Sequence, residues 1–302
     1  MSFLSDTKYQ IVKNKDKNNC CKAAMLYGFL LFCKALNADL IELQTESEPV
    51  SRIFAELLAG TAGVFADIKI GSRRKSVSNK VYYVNVPDSR DRQKIIEKFC
   101  PSREKINREL LENECCVKSF VKSAFLTVGS MTDPKKDYHL EFLVHNSELS
   151  DDFSVLLSEM LAVPKINIKK SGIVLYYKES EQIEDLLTLM GAVNSSIELM
   201  NIKIYRDIRN TVNRQTNCLT ANLDKTIRAS SDQINAIKLI KNTRGIGFLP
   251  EELRELAEFR LENEDLSLRE LGEQLHLSRS GINHRLTKII EIAEEIKRES
   301  DV

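Results

Sequence analysis

SLRELGEQLHLSRSGINHRLTKII, residues 267–290, reads as two short helices joined by a tight turn. Ser267 with Glu270 three positions on makes a capping box, which satisfies orphan amides at a helix start. Leu268, Leu271 and Leu275 form the apolar stripe of that helix, and Gly272 suits a place where a second helix crosses closely. His276 and Leu277 fill the turn, and Ser278 is a good N-cap for the second helix. In that second helix Ile282, Leu286 and Ile289 share one face at about 100° per residue. Ser280, His284, Thr287 and Lys288 then point away from that face, with Arg279 and Asn283 on one flank and Arg285 on the other. No acid interrupts residues 278–290. These are the requirements of a helix-turn-helix that sets one helix in the major groove of DNA. A helical hairpin that binds protein shares the stripes and caps; the acid-free second helix tips the balance to DNA. The expected base contacts are Arg279, Ser280, Asn283, His284 and Thr287, since Arg suits guanine edges and Asn adenine edges. Ser278, Arg285 and Lys288 are expected on phosphates.

Working outward, charge is distributed unevenly. The 302 residues hold 44 basic and 44 acidic side chains, so the whole has no net charge. Residues 200–248 hold nine basic against three acidic, while residues 249–302 hold eight against 14. Phosphates respond to the local field within a Debye length of about 8 Å, not to the total. Arg206, Arg209, Arg214 and Lys225 in the basic block are therefore expected to add non-specific phosphate affinity. The acidic helix beginning at Glu251 must face away from a duplex or toward a partner. At 42% hydrophobic and 29% charged, the chain reads as a soluble protein with two or three cored domains. No apolar run nears the roughly 20 residues that span a bilayer. The N-terminus lacks a signal core, so a cytosolic protein without membrane partners is expected. Seven cysteines without a framework fit reduced thiols.

The first 190 residues repeat one pattern. Copy one opens CCKAAMLYGFLLFCKAL (residues 20–36), followed by strand 38–45, a helix from Pro49 to about Gly60, strands 64–70 and 80–86, and a helix from Asp88. Copy two opens CCVKSFVKSAFLTVGS (residues 115–130), with strand 138–144, helix 151–162, strands 165–170 and 172–178, and helix 181–190. Both open on a Cys-Cys pair, 95 residues apart. Such a period implies duplication into a pseudo-twofold domain and not a solenoid. Helices apolar on most faces are buried on most faces, so the two opening helices are expected to pack together. Gly28 on one and Ser123 with Ala124 on the other permit close approach. Residues 194–217 read as a helix, NCLTANLDK (217–225) as turn and cap residues, and residues 231–241 as a second helix. NTRGIGFLP (242–250) reads as a boundary.

Other motifs carry less. Adjacent cysteines do not readily share one tetrahedral ion, no histidine lies near either pair, and C-x₂₋₄-C spacing is absent. The pairs read as small buried residues, and no metal ligands or cofactor are expected. His139 and His145 flank a strand as ordinary core or edge residues. GTAG (60–63) is a helix stop, since no Lys-Ser/Thr completes a phosphate loop. IGSRRKSVSNK (70–80) carries Arg73 and Arg74 in a strand-to-strand loop; a solvated hairpin tip is the preferred reading, with retained phosphate contact as the other.

The duplicated half, the connector RDIRNTVNRQTNCLTANLDKT (206–226), AFLTVGSMTDP (124–134) and SGINHRL (280–286) together resemble the WhiA family over essentially the whole chain. The family's N-terminal domain is similar to LAGLIDADG homing endonucleases. The resemblance implies an α+β fold, a duplicated αβαββα LAGLIDADG-like saddle followed by an all-α helix-turn-helix domain. We divide the chain into a polar segment (residues 1–19), the duplicated domain (20–192, repeats 20–100 and 115–192), a basic helical linker (193–248) and the helix-turn-helix domain (249–302). The resemblance further implies a nucleoid-associated regulator of transcription with roles in cell division, chromosome segregation and sporulation. Its expected partners are double-stranded promoter or operator DNA and a sigma factor or other regulator, with no small-molecule substrate. Homing endonucleases end each central helix with an acid, and the pair holds the divalent metal. Carried over, these positions fall near Cys33 and Gly129, neither of which offers the carboxylate oxygen that Mg²⁺ requires. Asp133 and Asp39 lie nearby as conceivable substitutes. The expectation is a protein that is not an enzyme, with residual endonuclease or a protein-interaction scaffold as alternatives.

Overall fold

A computed structural model describes residues 2–72, 80–99 and 102–300, except for the side chains of Ser72 and Ser300. Arg73 and Arg74 lie outside the described residues. The chain divides into two compact units, Met1–Asp207 and Ile208–Val302. The first begins with α1 (Phe3–Lys13), then α2 (Asn19–Phe32), β1 (Ala35–Leu36), β2 (Ile41–Thr45), α3 (Glu48–Leu57), β3 (Asp67–Ser72), β4 (Lys80–Asn85) and α4 (Ser89–Phe99). The second copy runs α5 (Glu114–Val128), β5 (Gly129–Met131), β6 (Leu140–Val144), α6 (Ser147–Met160), β7 (Lys165–Lys169), β8 (Gly172–Tyr177) and α7 (Ser180–Leu189). Each copy makes a four-stranded antiparallel sheet, ordered β1-β2-β4-β3 and β5-β6-β8-β7. Leu43 opposite Val84 and Phe142 opposite Leu175 occupy matching positions in the two registers. This is the duplicated saddle expected from the sequence, with short opening strands β1 and β5 added to each copy.

The two opening helices do pack together. Ten of the fourteen residues of α2 are buried, as an all-round apolar helix requires. A Cβ placed on Gly28 would stand 2.1 Å from Ser123 Oγ and 2.9 Å from the Phe120 carbonyl oxygen. Glycine is what lets the helices approach this closely. Around the contact, Phe120 stacks on Tyr27 and Phe32 at centroid distances of 5.4 and 5.7 Å, and Phe32 meets Phe153 at 5.0 Å.

One element is added to the sequence reading, and one expected turn is corrected. The polar N-terminal stretch contains α1, capped by Ser2, which accepts from the Ser5 amide at 3.2 Å. It buries only Thr7 and Ile11, too few apolar positions to announce a helix by periodicity. The turn expected at residues 217–225 is absent, because α8 runs unbroken from Val193 to Thr243. Its 51 residues include neither glycine nor proline, so Asn217 and Asn222 alone do not stop it. Along it Ile197, Met200, Ile204, Ile208, Val212, Leu219 and Leu223 are exposed.

In the second unit, the end of α8 joins α9 (Glu251–Glu262), α10 (Leu268–Gln274) and α11 (Arg279–Ser300). Ile237, Ile240, Leu253, Leu256, Leu271, Ile282, Leu286 and Ile289 form one core. Arg260, though on the acidic helix, is 2% exposed. Its guanidinium donates to the carbonyls of Leu266 (2.6 Å) and Asn263 (3.3 Å) and to Ser230 Oγ (2.6 Å). The buried cation is thus hydrogen-bonded on several sides, as burial demands.

Candidate functional site

The helix-turn-helix assembles from its local signals. Ser267 Oγ accepts from the Glu270 amide at 3.3 Å, and Glu270 Oε2 accepts from the Ser267 amide at 2.8 Å. These bonds hold the Glu270 carboxyl below its usual range. The turn is made by His276 at φ 53°, the left-handed conformation that ends many helices. It aims the Leu277 amide at the Gly272 carbonyl, 2.8 Å away. A Cβ on Gly272 would sit 2.5 Å from the Leu277 oxygen, so glycine is required by the turn backbone itself. Ser278 Oγ then accepts from the Gly281 amide at 3.0 Å and starts α11.

From that start, Ile282, Leu286 and Ile289 face inward, each at most 1% exposed. Ser278, Arg279, Ser280, Asn283, His284, Thr287 and Lys288 are exposed around the same helix and its cap. Among the described residues, the side chains of Arg279, Ser280, Asn283, His284 and Lys288 have no hydrogen-bond or ion-pair partner. Thr287 donates to the Asn283 carbonyl at 2.9 Å, a bond internal to the helix. Arg285 is half-buried and lies 3.8 Å from Glu252 on α9, so one acid of that helix is turned to a cation of α11. On α8, Arg209, Arg214 and Lys225 are exposed. Arg206 instead lays its guanidinium over the Tyr138 ring, 4.7 Å from the centroid, which leaves it less free than the sequence suggested.

The other place of interest is the C-terminal ends of α2 and α5. Cys33 caps α2, is 3% exposed, and donates its thiol to the carbonyls of Leu30 (3.1 Å) and Ala35 (3.0 Å). Burial pushes that thiol up to about 12, against a smaller opposing pull from Arg103. Gly129 caps α5, and a Cβ there would lie 2.3 Å from Phe125 Cδ2 and 2.5 Å from its carbonyl oxygen. No side chain fits without moving backbone. Two cations with no signal in the sequence occupy these ends. Arg103 donates to the Cys33 carbonyl at 2.8 Å, and Lys8 of α1 donates to the Leu126 carbonyl at 3.2 Å. Each sits where a helix dipole is negative. Burial pulls the Lys8 amine down to about 8, partly offset by Glu46. Asp133 accepts from the Lys135 amide at 2.9 Å in its own turn, and Asp39 is exposed. Among the described residues, neither belongs to a group of potential metal ligands.

The N-terminal ends of the same two helices correct the sequence reading of the cysteines. Cys21 and Cys116 are buried, but Cys20 and Cys115 are exposed. The pairing of α2 with α5 brings all four together, with every Sγ within 4.8 Å of the others. Burial first, then neighbouring thiols, raise Cys21 to about 12 and Cys116 to about 11. Cys20 is lowered by a hydrogen bond to Cys116. Spacing rules could not find this group, because two adjacent pairs 95 residues apart match no zinc motif.

Comparison with known proteins agrees with both halves. The WhiA LAGLIDADG-like domain matches residues 117–209, and the WhiA C-terminal HTH domain matches residues 212–293. The probable cell division protein WhiA of Alkaliphilus oremlandii is 39% identical, covering 98% of each chain. That of Caldicellulosiruptor saccharolyticus is 37% identical over 99% of this chain and 96% of its own. The crystal structure of full-length DUF199/WhiA from Thermatoga maritima, 27% identical, superposes with a TM-score of 0.61 over 98% of this chain and 99% of the other. With sequence kinship at full length and the same fold, the chain is a member of the WhiA family.

Proposed function

We propose that this protein is a sequence-specific DNA-binding regulator of transcription that cuts nothing. The observation carrying the proposal is the outward face of α11. Six exposed residues, Arg279, Ser280, Asn283, His284, Thr287 and Lys288, stand on a helix whose opposite face is fully buried. Arg279 and Asn283 have the donors and acceptors to read guanine and adenine edges. Ser278, Lys288 and the partly engaged Arg285 seat the helix on phosphates, and Arg209, Arg214 and Lys225 on α8 add affinity without sequence choice. Arg206 contributes only if it leaves the Tyr138 ring. A division of the chain with residues 193–248 as a basic linker goes with this reading, with its end, at Ile237 and Ile240, packed into the core of the second unit.

The relatives' name, cell division protein, supports a role in cell division for this chain. Chromosome segregation, sporulation and a place on the nucleoid extend the same proposal. Nuclease activity is disfavoured by Cys33, Gly129 and the cations at the ends of α2 and α5, since two-metal cleavage needs carboxylates there. A second reading, a scaffold for a sigma factor or division protein, is favoured by the exposed Ile208, Val212, Leu219 and Leu223 on α8. Such residues in a row mark interaction surfaces.

A salt titration of affinity for genomic duplex fragments tests the proposal. Groove binding through several cations gives a steep, linear fall of log affinity with log salt. Arg279→Ala and Asn283→Ala should each relax preference at one base pair. A chain with no duplex affinity, or an affinity indifferent to both substitutions, would be the scaffold instead. Multiple-turnover nicking of supercoiled plasmid in Mg²⁺ would contradict the non-catalytic reading.

A further inference from the structure

The four cysteines at the start of α2 and α5 are unaccounted for by any contact with DNA. They occupy equivalent places: Cys20 and Cys115 are the second residues of their helices, Cys21 and Cys116 the third. The pseudo-twofold pairing at Gly28 and Ser123 therefore also brings two thiol pairs together at one end. Around a zinc ion with Zn–S bonds of about 2.3 Å, four sulfurs stand about 3.8 Å apart. The Sγ atoms of the adjacent Cys20 and Cys21 are already 4.0 Å apart, which answers the objection that neighbours in sequence cannot share an ion. The full set, all within 4.8 Å, needs an inward shift of less than a bond length.

Burial keeps Cys21 and Cys116 protonated in the metal-free chain, so an ion must displace their protons. Two helix N-termini converge on the group, each equivalent to roughly half a positive charge, and offset the thiolates that result. Neither N-cap residue, Asn18 nor Asn113, closes its helix with a side-chain hydrogen bond. Two of the cysteines are exposed and two are buried, so an ion has a route in and a buried seat. The donor set is all sulfur, which selects a soft or borderline ion over Mg²⁺ or Ca²⁺.

We propose that Cys20, Cys21, Cys115 and Cys116 form a closed four-thiolate site for one zinc ion, which ties the N-terminal ends of α2 and α5 together. All four positions around the ion are filled by protein, so the site is structural and leaves no place for a substrate. Binding releases the thiol protons to solvent and oxidises nothing. The doubly negative centre that results is offset by the two helix dipoles. The site lies at the opposite helix ends from Cys33 and Gly129 and is independent of the endonuclease metal positions.

The test uses the full-length chain, reduced and stripped with a chelator, then titrated with Co²⁺ as a spectroscopic probe and with Zn²⁺. The expected result is one ion per chain, with thiolate-to-cobalt charge transfer in the near ultraviolet and the strong visible bands of tetrahedral cobalt. One equivalent of Zn²⁺ should displace the cobalt, raise Tm, and protect these four cysteines from alkylation. Cys20→Ser and Cys115→Ser, at exposed positions, should weaken binding by more than the roughly 10–100-fold that outer-shell partners are worth. Cys218→Ser in the second unit should leave it unchanged. An unsubstituted chain that takes up no stoichiometric metal overturns the site, however the variants fold. So does a cobalt spectrum undiminished by Cys115→Ser, or a chain whose four cysteines pair as disulfides and take up no metal once reduced.

Discussion

Two regions of this molecule differ sharply in how they would receive a polyanion. The C-terminal ends of α2 and α5 are where the resemblance to LAGLIDADG nucleases would place the metal-holding acids. Here they are closed by a buried thiol, a glycine with no room for a Cβ, and two cations bonded to helix carbonyls. The outward face of α11 is the reverse, with exposed cationic and amide side chains that are unpartnered among the described residues, over a well-packed core. The contrast teaches that architecture and chemistry part company. A duplicated saddle forms here without carboxylates at these helix ends, because helix packing through Gly28 and Ser123 asks nothing of the helix ends.

The largest effect should come from trying to reopen the closed end. Gly129→Asp, alone or with Cys33→Asp, should cost about 3 kcal/mol of stability, because the new Cβ must displace the Phe125 backbone. It should still confer no Mg²⁺-dependent nicking. Chemical denaturation and a plasmid assay read both, and a stable, cleaving variant would break the comparison.

Next come the residues of α11. Arg279→Ala and Asn283→Ala should each weaken binding to the preferred duplex by about 1–3 kcal/mol while relaxing choice at one base pair. Lys288→Ala should weaken all duplexes alike and reduce the salt slope by about one. Fluorescence anisotropy across salt concentrations distinguishes the two classes.

Lys8 gives a pH test at the closed end. Its amine is lowered from 10.5 to about 8 in the folded chain, so the unfolded chain binds more protons between those values. Stability from this group therefore rises with pH from about 8 to about 10.5 and is lowest below that window. Lys8→Met should flatten that rise in a series of denaturation curves. A rise that persists in Lys8→Met would place its origin elsewhere. The smallest effect is expected in the turn before α11. His276→Gly should stabilise by up to about 1 kcal/mol, since glycine adopts the left-handed conformation without a Cβ penalty. A loss of stability would show that the imidazole makes a contact of its own.

How much of the molecule is legible in its sequence depends on how local each signal is. The capping box at Ser267 and Glu270, the buried Ile282, Leu286 and Ile289, and the Gly28–Ser123 contact each depend on spacing or residue size within one element or its repeat. The helix at Phe3–Lys13 stays hidden because it buries so little. The unbroken α8 is hidden because asparagines resemble caps until the lack of glycine and proline is weighed. Lys8 on Leu126 and Arg103 on Cys33 are long-range bonds to backbone carbonyls, which carry no side-chain pattern to read. The four cysteines meet only through tertiary pairing, so residue spacing argued against the cluster that the fold produces.

Photo-crosslinking of the full-length chain to a bound genomic duplex tests most directly whether α11, and not the closed end of α2 and α5, reads DNA. A photoreactive side chain would stand at position 283 on α11 or at position 34 beside the closed helix end. Crosslinks to bases within one short sequence are expected from position 283, and none from position 34. Crosslinks from position 34 with none from position 283 would contradict DNA reading by α11.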